Sequence, residues 1–470
     1  MGPHPCCGVA REVLAYIDDV RAALDWAFST SGDARIAVAL TEAALPLWFQ
    51  LSLLSECCKR VEGALIVLSA NPDPPREMHL QVALASSLMQ TAGTDHARPA
   101  WAVVLRFAEA FEDIDYQLRA LWGLWAANLN NARLKAALSI AERFRTLAER
   151  SSDPNDALVG DRMLGYTLHL LGEQSSARSR LEHMLANYVV PTTGPRIIRF
   201  IFDQLATARS LLARVLWLQG FPDQAATTAQ RAIEEARVVG DMLTVCQVLV
   251  QAACPISIFT GDYQRLETLV DMLLDYSTRN SLGFWRVWGR CFKAVQIIKS
   301  GRVADGLIEL RGGIEELRGI NYGVYYIVFL CEYADALSLA GQSQQGLAAI
   351  EEALKRCQSN EENWYAAELL REKGELIVRL GGADAAAEAM KLFQLSLDWS
   401  RRQGALSWEL RTATSLARLH SADQRPNTSL NLLRTVYDKF TEGEKSADLV
   451  LARQLLDEAP AGMLQKRRPI

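Results

Sequence analysis

The sequence of 470 residues lacks the short motifs that mark the common catalytic and nucleotide-binding sites. It contains no Gly-Lys dipeptide and therefore no P-loop, which needs that lysine to reach the phosphates of a nucleotide. The HExxH motif of zinc proteases and the GxSxG motif of serine hydrolases are also missing. None of the six histidines stands at metal-ligand spacing from another histidine or from a cysteine. These absences predict a protein that is not an enzyme and that uses no cofactor and no metal.

Disulfide motifs, transmembrane runs and a surplus of basic charge are absent as well. The nine cysteines form no CxxC pair and their number is odd, which is typical of reduced cysteines in the cytoplasm. No apolar run reaches the roughly 20 residues of a membrane span, and the first residues lack the pattern of a signal peptide. The formal charge of −5 disfavours binding to nucleic acid. We therefore expect a cytoplasmic protein with neither a membrane nor a nucleic acid as direct partner.

What the sequence does contain is a repeat with a period of about 40 residues. A helix-breaking turn recurs, and small or apolar residues follow it five, nine and twelve positions later. Gly220 is followed in this way by Ala225, Ala229 and Ala232. Runs of β-branched residues with an alternating pattern are almost absent, so each repeat is predicted to consist of two helices. The predicted turns lie near residues 52, 93, 131, 172, 220, 261, 301, 341, 381 and 424.

A small residue stands seven positions before most of these turns and indicates the kind of helix pair. Gly165, Ala213 and Gly374 are examples. A small side chain there lets the two helices of a pair approach closely, as in tetratricopeptide (TPR) repeats, whose standard unit has 34 residues. The sequence thus predicts an all-α fold, a right-handed α-solenoid of about nine to ten TPR-like helix pairs.

Breaks in the pattern divide the chain further. Residues 1–12 are predicted to form an irregular tail, 13–90 the leading helices of the array, 91–440 the TPR-like solenoid, and 441–470 a capping helix with a tail. Each repeat of a solenoid packs only on its neighbours, so a chain of this length does not require several domains.

The inner face of the predicted solenoid is the candidate binding surface. In helix pairs of this kind, the positions thirteen, ten, six, three and two before the turn face the inside. In this chain these positions include Arg162, Tyr166, His169, Arg214, Trp217, Trp288, Asp335, Glu368, Arg371, Glu375, Arg411 and Arg418. For a single residue, the alternative is that a tryptophan fills the core and an arginine is solvated. For the groove as a whole we favour a binding role, because aromatic residues beside arginines are common in binding hot spots and solenoids present extended concave faces.

Segments at both ends of the array resemble a known family. Residues 18–28 (DDVRAALDWAF) and 44–52 (ALPLWFQLS) resemble the start of the helical region in large bacterial winged-helix regulators that carry a signal-transduction P-loop ATPase. Residues 364–376 (WYAAELLREKGEL) and 400–419 (SRRQGALSWELRTATSLARL), continuing to 436–443 (VYDKFTEG), are similar to repeats in those regulators and in related adenylate-cyclase-linked ATPases. The resemblance covers about residues 11–460.

The resemblance implies that the chain corresponds to the C-terminal TPR-like sensor region of such a regulator. In the family, the DNA-binding and ATPase domains precede the array. The first 17 residues here cannot hold either domain, so no nucleotide-binding or DNA-contacting residue is carried over. We therefore expect a stand-alone or truncated sensor module, and the irregular residues 1–10 suggest a split gene, a frameshift remnant or a misassigned start.

The function that we predict is a non-enzymatic interaction and sensor module. Its partner would be a protein or peptide segment, such as part of a separately encoded ATPase or regulator, bound through the concave face. The candidate arginines spread over several repeats, which favours an extended partner over a small molecule. A small-molecule effector is the alternative, and an enzyme with a site formed between repeats is the third class.

Because the sequence has no P-loop, we expect the purified protein neither to bind nor to hydrolyse ATP. Isothermal titration calorimetry with ATP and magnesium should show no saturable heat. A stoichiometric titration with micromolar affinity would contradict this prediction.

Overall fold

All the regular secondary structure in the described part of the protein is helical. This part forms 22 helices and no β-strand, which confirms the all-α prediction. By internal contacts the chain divides into two compact units, Met1–Asn131 with Ser139–Asp156, and Ala132–Leu138 with Ala157–Ile470. The computed structural model describes residues 16–51, 53–91, 93–190, 199–200, 202–280, 282–319, 325–422 and 426–458.

Each unit is a series of helices, most of which pack on the next helix along the chain. The first unit contains α1 (Ile17–Ala27), α2 (Ala34–Gln50), α3 (Leu54–Ala70), α4 (Pro74–Thr91), α5 (Thr94–Ala110) and α6 (Ile114–Asn130). Residues of α7 (Leu134–Ala148) belong to both units. The second unit continues with α8 (Asn155–Leu171), α9 (Gln174–Asn187), α10 (Gln204–Leu218), α11 (Pro222–Val239), α12 (Met242–Thr260), α13 (Tyr263–Arg279), α14 (Gly283–Lys299), α15 (Val303–Gly319), α16 (Tyr326–Leu339), α17 (Ser343–Asn360), α18 (Ala366–Leu380), α19 (Ala385–Gln403), α20 (Leu406–Ala422), α21 (Pro426–Tyr437) and α22 (Ala447–Asp457).

The turns fall where the repeat predicts them. The turns near residues 93, 131, 172, 220, 261, 301, 341 and 381 all lie between consecutive helices. Helices such as α14 and α15 have 17 residues each, so two of them with their short connections account for the long period. The predicted turns at residues 52 and 424, the tail at 1–12 and the segment after 458 lie outside the described residues. Elsewhere the chain is a solenoid of TPR-like helix pairs, as predicted.

The chemistry of the turn residues explains where helices begin and end. Gly220 and Gly261 have positive φ angles of 90° and 78°, a conformation that residues with a Cβ atom rarely adopt. The first turn of the following helix has free backbone N–H groups, and an aspartate side chain can accept a hydrogen bond from one of them. Asp262 accepts from the N–H of Arg265 at 3.0 Å and so caps the start of α13. Local sequence therefore stops one helix and begins the next.

Small residues bring the two helices of a pair into contact. A Cβ atom added to Gly374 of α18 would lie 2.5 Å from the ring of Phe393 in α19. One added to Gly346 of α17 would lie 2.8 Å from the carbonyl oxygen of Ala334 in α16. The residues five, nine and twelve positions after the turn at Gly220 are buried in the same way: Ala225, Ala229 and Ala232. The core of a pair is thus made of small residues that face larger ones across a close interface.

Among the described residues, one helix is long and apolar enough to cross a membrane by length and composition. This helix is α12, and 83% of its apolar window is buried inside the second unit. Its cysteines Cys246 and Cys254 are fully buried, and a π-helical stretch at Leu249–Ala253 interrupts it. A helix that is apolar on all sides is expected where neighbours cover it completely, and the packing of α12 fits that role.

Replacing Gly346 by alanine should destabilise the second unit by about 1–3 kcal/mol, because the new Cβ would meet a backbone oxygen that no side-chain rotation can move. Elsewhere in helices, the same substitution stabilises by about 0.5–1 kcal/mol. Gly312→Ala in α15 is the matched control, since its Cβ would have 3.8 Å to the nearest atom. Urea unfolding midpoints of the two variants should move in opposite directions, and a stabilised Gly346→Ala would contradict the close approach of α16 and α17.

Candidate binding site

The inner face of the second unit is closed by contacts between helices that are far apart in the chain. Trp217 of α10 stacks on Phe259 of α12 with 4.5 Å between ring centroids, and it meets Trp408 of α20 at 4.7 Å. All three rings are at most 2% exposed. The hydroxyl of Ser407 also donates a hydrogen bond to the backbone carbonyl of Trp217. We refer to Trp217, Phe259 and Trp408 as the aromatic seam.

The segments that flank the seam touch as well. The backbone N–H of Gly443 donates to Asp223 Oδ2 at 2.9 Å. The side-chain amide of Gln224 donates to the carboxylate of Glu442, also at 2.9 Å. The second unit therefore folds back on itself, and α20 covers the inner faces of α10 and α12.

Six of the predicted groove residues lie inside this interior, where each is at most 4% exposed: Arg162, Tyr166, His169, Arg214, Trp217 and Trp288. The hydroxyl of Tyr166 donates to Gln251 at 3.0 Å. The guanidinium carbon of Arg214 lies 3.5 Å from the ring centroid of Tyr325 and 4.3 Å from that of Trp364. These positions face inward, but they form an interior instead of an open groove, because the chain folds back over them.

Burial changes the titration of three of these side chains, since it raises the pKa of Tyr166 and lowers the pKa values of His169 and Arg162. Loss of hydration lowers the pKa of His169 to about 3, and the positive charge of Arg214 adds to this effect. Loss of hydration likewise lowers the pKa of Arg162 to about 10. Each side chain has an amide partner, since Arg162 donates to Gln204 at 2.8 Å and His169 Nδ1 lies 2.8 Å from Gln174 Oε1. These polar groups are therefore integrated into the core.

The other six predicted residues line one polar cavity in the second unit, with a volume of about 320 Å³. They are Asp335, Glu368, Arg371, Glu375, Arg411 and Arg418. The lining also includes residues from α12, α13, α14 and α22, so that side chains from widely separated repeats converge on one space. We call this space the polar cavity.

Arg371 has carboxylates on three sides. Its Nε donates to Glu368 at 2.8 Å, its Nη2 donates to Glu372 at 2.5 Å, and its Nη1 lies 3.7 Å from Glu375. The hydroxyl of Ser415 donates to Glu375 at 2.5 Å. Burial alone would lower the pKa of Arg371, but the surrounding carboxylates outweigh burial and raise it. Arg371 is therefore held as a cation by its own repeat.

Arg411 links the polar cavity to the aromatic seam. It donates to Glu368 and to Asp448 at 2.8 Å each, and to the backbone carbonyl of Phe259 at 3.2 Å. Burial would raise the pKa of Glu368, but the guanidiniums of Arg371 and Arg411 outweigh burial and hold it at about 2. Glu368 is therefore a carboxylate at neutral pH, and Arg411 connects three helices that are remote in sequence.

A second group of ion pairs lines the same cavity. Lys299 Nζ lies 2.8 Å from Glu332 and 3.4 Å from Asp335, and Arg379 Nη1 lies 3.1 Å from Asp335. Burial alone would lower the pKa of Lys299, but the two acidic neighbours raise it. Burial would raise the pKa of Asp335, but Lys299 and Arg379 lower it. Lys299 and Asp335 are therefore charged at neutral pH.

Glu372 differs from the other carboxylates of the cavity. Its side chain is 6% exposed, and its Oε2 accepts from Arg371, whereas its Oε1 has no hydrogen-bond partner in the described part of the chain. Burial raises the pKa of Glu372 to about 7; Arg371 opposes the shift, and Asp335, Glu368 and Glu375 add to it. Burial thus favours the protonated form of Glu372 more than that of Glu368 or Asp335.

Sequence reasoning missed several lining residues, although the repeat contains a signal for four of them. Lys299 and Arg379 stand two positions before their turns, which belongs to the inward-facing set. Glu332 and Glu372 stand nine positions before their turns, about one helical turn from other inward-facing positions. Asp448 has no such signal, because it lies in the terminal helix α22, outside the repeat.

Comparison with known proteins places the chain among helical-repeat folds. No protein-family model matches the chain, and no curated protein matches it. A Rap protein solved in complex with competence and sporulation factor is similar with a TM-score of 0.54 and 10% identity, over 78% of this chain and 98% of that protein. The apo form of RapI gives a TM-score of 0.41 at 12% identity, covering 64% and 99%, and yeast Tom70 gives 0.31 at 12%, covering 90% and 96%. At such identities, the first of these likenesses shows the fold alone.

Trp408→Ala should destabilise the second unit by about 3–5 kcal/mol, as expected when a fully buried aromatic side chain leaves a cavity. It removes the ring contacts to Trp217, Phe259 and Tyr365 that hold α20 in place. Trp399→Ala is the control, because Trp399 is only partly buried, and Arg402 lies over its ring. Urea unfolding should show a much larger loss for Trp408→Ala, and equal losses would contradict the seam.

Proposed function

We propose that this chain is a non-enzymatic TPR-like interaction module whose binding site is the polar cavity. The observation that carries the proposal is the convergence of charged side chains from separate repeats on one space of about 320 Å³. Clefts and cavities of roughly this size with a few convergent polar groups are the usual form of a ligand site. The remainder of the inner face has no comparable role in the proposal, since its aromatic residues are buried.

The proposed partner is a protein or peptide segment that places side chains or a chain end in the cavity. Arg418 is exposed and Arg379 is 40% exposed, so these two residues mark where the cavity meets solvent. A segment longer than the cavity would continue across that opening. Charged groups that line a cavity select a partner by its charge pattern as much as by its shape.

A small-molecule effector is the second candidate. The specific observation in its favour is the volume of the cavity, which lies near the lower end of the roughly 300–1,000 Å³ typical of small-molecule sites. An effector would suit a sensor module, and the cavity lies entirely within one unit, so binding there needs no second unit.

We propose that the chain originates from the helical sensor region of a bacterial ATPase-type transcriptional regulator. It would act in the cytoplasm. The support is the similarity of residues 18–28, 364–376 and 400–419 to that family. The last two segments supply Glu368, Arg371, Arg411 and Arg418 to the polar cavity, so the residues that carry the resemblance also carry the site. A helical-repeat protein of similar fold, Rap, has been solved with competence and sporulation factor bound, which is consistent with a role in binding.

Selection of peptides from a random library on the purified protein tests the proposal. We expect enriched peptides whose affinity falls at least about tenfold, on the order of 1.4 kcal/mol, in the double variant Arg418→Ala/Glu375→Gln. Both residues line the cavity. The control is Arg302→Ala/Glu351→Gln, which removes the same side-chain types from exposed positions, with side chains 63% and 56% exposed.

The circular dichroism of both double variants should match that of the unmodified protein. Enriched peptides that bind the cavity variant and the control variant equally well would show that the cavity is not the site. A screen of small metabolites that yields a cavity-dependent ligand, with no peptide enriched, would favour the effector function instead.

A further inference from the structure

The charges around the polar cavity do not balance. Six carboxylates line it: Glu332, Asp335, Glu368, Glu372, Glu375 and Asp448. Five cations line it: Lys299, Arg371, Arg379, Arg411 and Arg418. Among the residues that the structure describes, Arg418 has no ion pair, and it is exposed. The remaining four cations are shared among all six carboxylates, which leaves the inside of the cavity with an excess of negative charge.

The shared pairs show where that excess lies. Arg371 contacts Glu368, Glu372 and Glu375, and Glu368 is bound by Arg411 as well. One cation therefore serves several carboxylates, and each receives only part of the compensation that a buried charge needs. A further cation in this space would lower the electrostatic energy of the cavity.

One atom in particular is available to receive such a cation. Glu372 lines the cavity, its side chain is more than nine-tenths buried, and its Oε1 has no hydrogen-bond partner within the described ranges. This oxygen is open to the cavity, so an N–H donor of a ligand can bind it without displacing an internal partner. The backbone and side chains already described do not supply that donor.

We propose that the group which enters the polar cavity is a cation, an ammonium or a guanidinium, that pairs with Glu372. This inference rests on the proposed function of the cavity as a binding site and specifies the ligand chemistry. Ammonium and guanidinium groups carry several N–H donors and no acceptor, so they satisfy an unpaired carboxylate oxygen without leaving a new one. Arg418 at the exposed edge can then contact an anionic or carbonyl group of the same ligand.

Protonation of Glu372 competes with a bound cation. Burial raises the pKa of Glu372 to about 7. The groups that act on Glu372 are Arg371, Glu368 and Glu375 on its own helix and Cys331 and Asp335 from α16. Arg411, Ser415 and Arg418 from α20 line the same cavity. The cation binds the ionised form, so its affinity should rise with pH until Glu372 is fully deprotonated and fall below pH 7.

Two sources can supply the same chemistry, a lysine or arginine side chain of a polypeptide and a free amine. Calorimetric titrations with four probes separate them: a blocked Gly-Arg-Gly tripeptide, its uncharged citrulline counterpart, its glutamate counterpart, and agmatine. We expect the arginine tripeptide to bind at about pH 8 at least tenfold more tightly than the citrulline peptide, because only the former pairs with Glu372. Comparable binding of agmatine would identify a free amine as the source, and binding of the tripeptide alone would identify a polypeptide.

Glu372→Gln should weaken binding of the arginine tripeptide about tenfold and remove its pH dependence between about pH 6 and pH 8. Glu351→Gln, at an exposed site, is the matched control and should leave both unchanged. Circular dichroism of Glu372→Gln checks that the isosteric variant keeps its helices. Arg371 retains Glu368 and Glu375 in this variant, so the fold should persist.

Equal binding of the citrulline or glutamate peptide, or no binding of any cationic probe, would overturn the inference. A failure of this inference can be distinguished from a failure of the proposed function. Library peptides whose affinity depends on Arg418 and Glu375 but is indifferent to Glu372→Gln would leave the cavity as a binding site and refute a cationic ligand. Library peptides whose affinity depends on none of these three residues would refute both the cavity as binding site and the cationic ligand.

Discussion

The burial of Trp217, Phe259 and Trp408 against one another is the contact on which the rest of the second unit depends. A helical solenoid normally leaves its inner face in water, but here large rings from distant repeats exclude it. Each such ring removes roughly 150–250 Å² from water, and at about 25 cal/mol per Å² this is a gain of several kcal/mol for each side chain. Since Ser407 and Trp217 are 190 positions apart, the same burial fixes the separation between repeats that share no local contact. The polar cavity exists because that separation is fixed.

Two buried glutamates show how charge pairing decides the properties of this interior. Burial raises the pKa of Glu362 to about 7, and the hydrogen bond from the indole N–H of Trp364 offsets only part of the lost hydration. Six positions later, two guanidiniums reverse the effect of burial and hold the pKa of Glu368 at about 2. Ionisation of Glu362 therefore opposes folding increasingly as pH rises from about 4.5 through 7, whereas the stability that Glu368 contributes is lost as pH falls from about 4.5 towards 2.

A ligand of the polar cavity would have to compete with ion pairs that the protein already makes. Arg371 and Arg411 are largely satisfied by Glu368, Glu375 and Asp448, so an anionic ligand would have to displace an internal carboxylate and leave it unpaired in a buried site. Glu372 is less committed, because only one of its oxygens has a donor. The internal ion pairs leave Glu372 available to a cationic ligand and penalise an anionic one. They thus favour specificity over affinity.

The sequence by itself determined the helix pairs, and the tertiary structure decided which inner residues form a core and which form a cavity. The turn at Gly220, the small residue at Gly374 and the alanines of α11 act through contacts with residues a few turns away in the chain. Their spacing was therefore enough to predict all-α TPR-like pairs. The same spacing could not show that Arg214 is sealed between aromatic rings while Arg411 borders a cavity. Asp448 could not be predicted as its partner. These outcomes depend on the small rotation between neighbouring repeats, which accumulates over several of them and determines which distant helices meet, and no local pattern of residues records that sum.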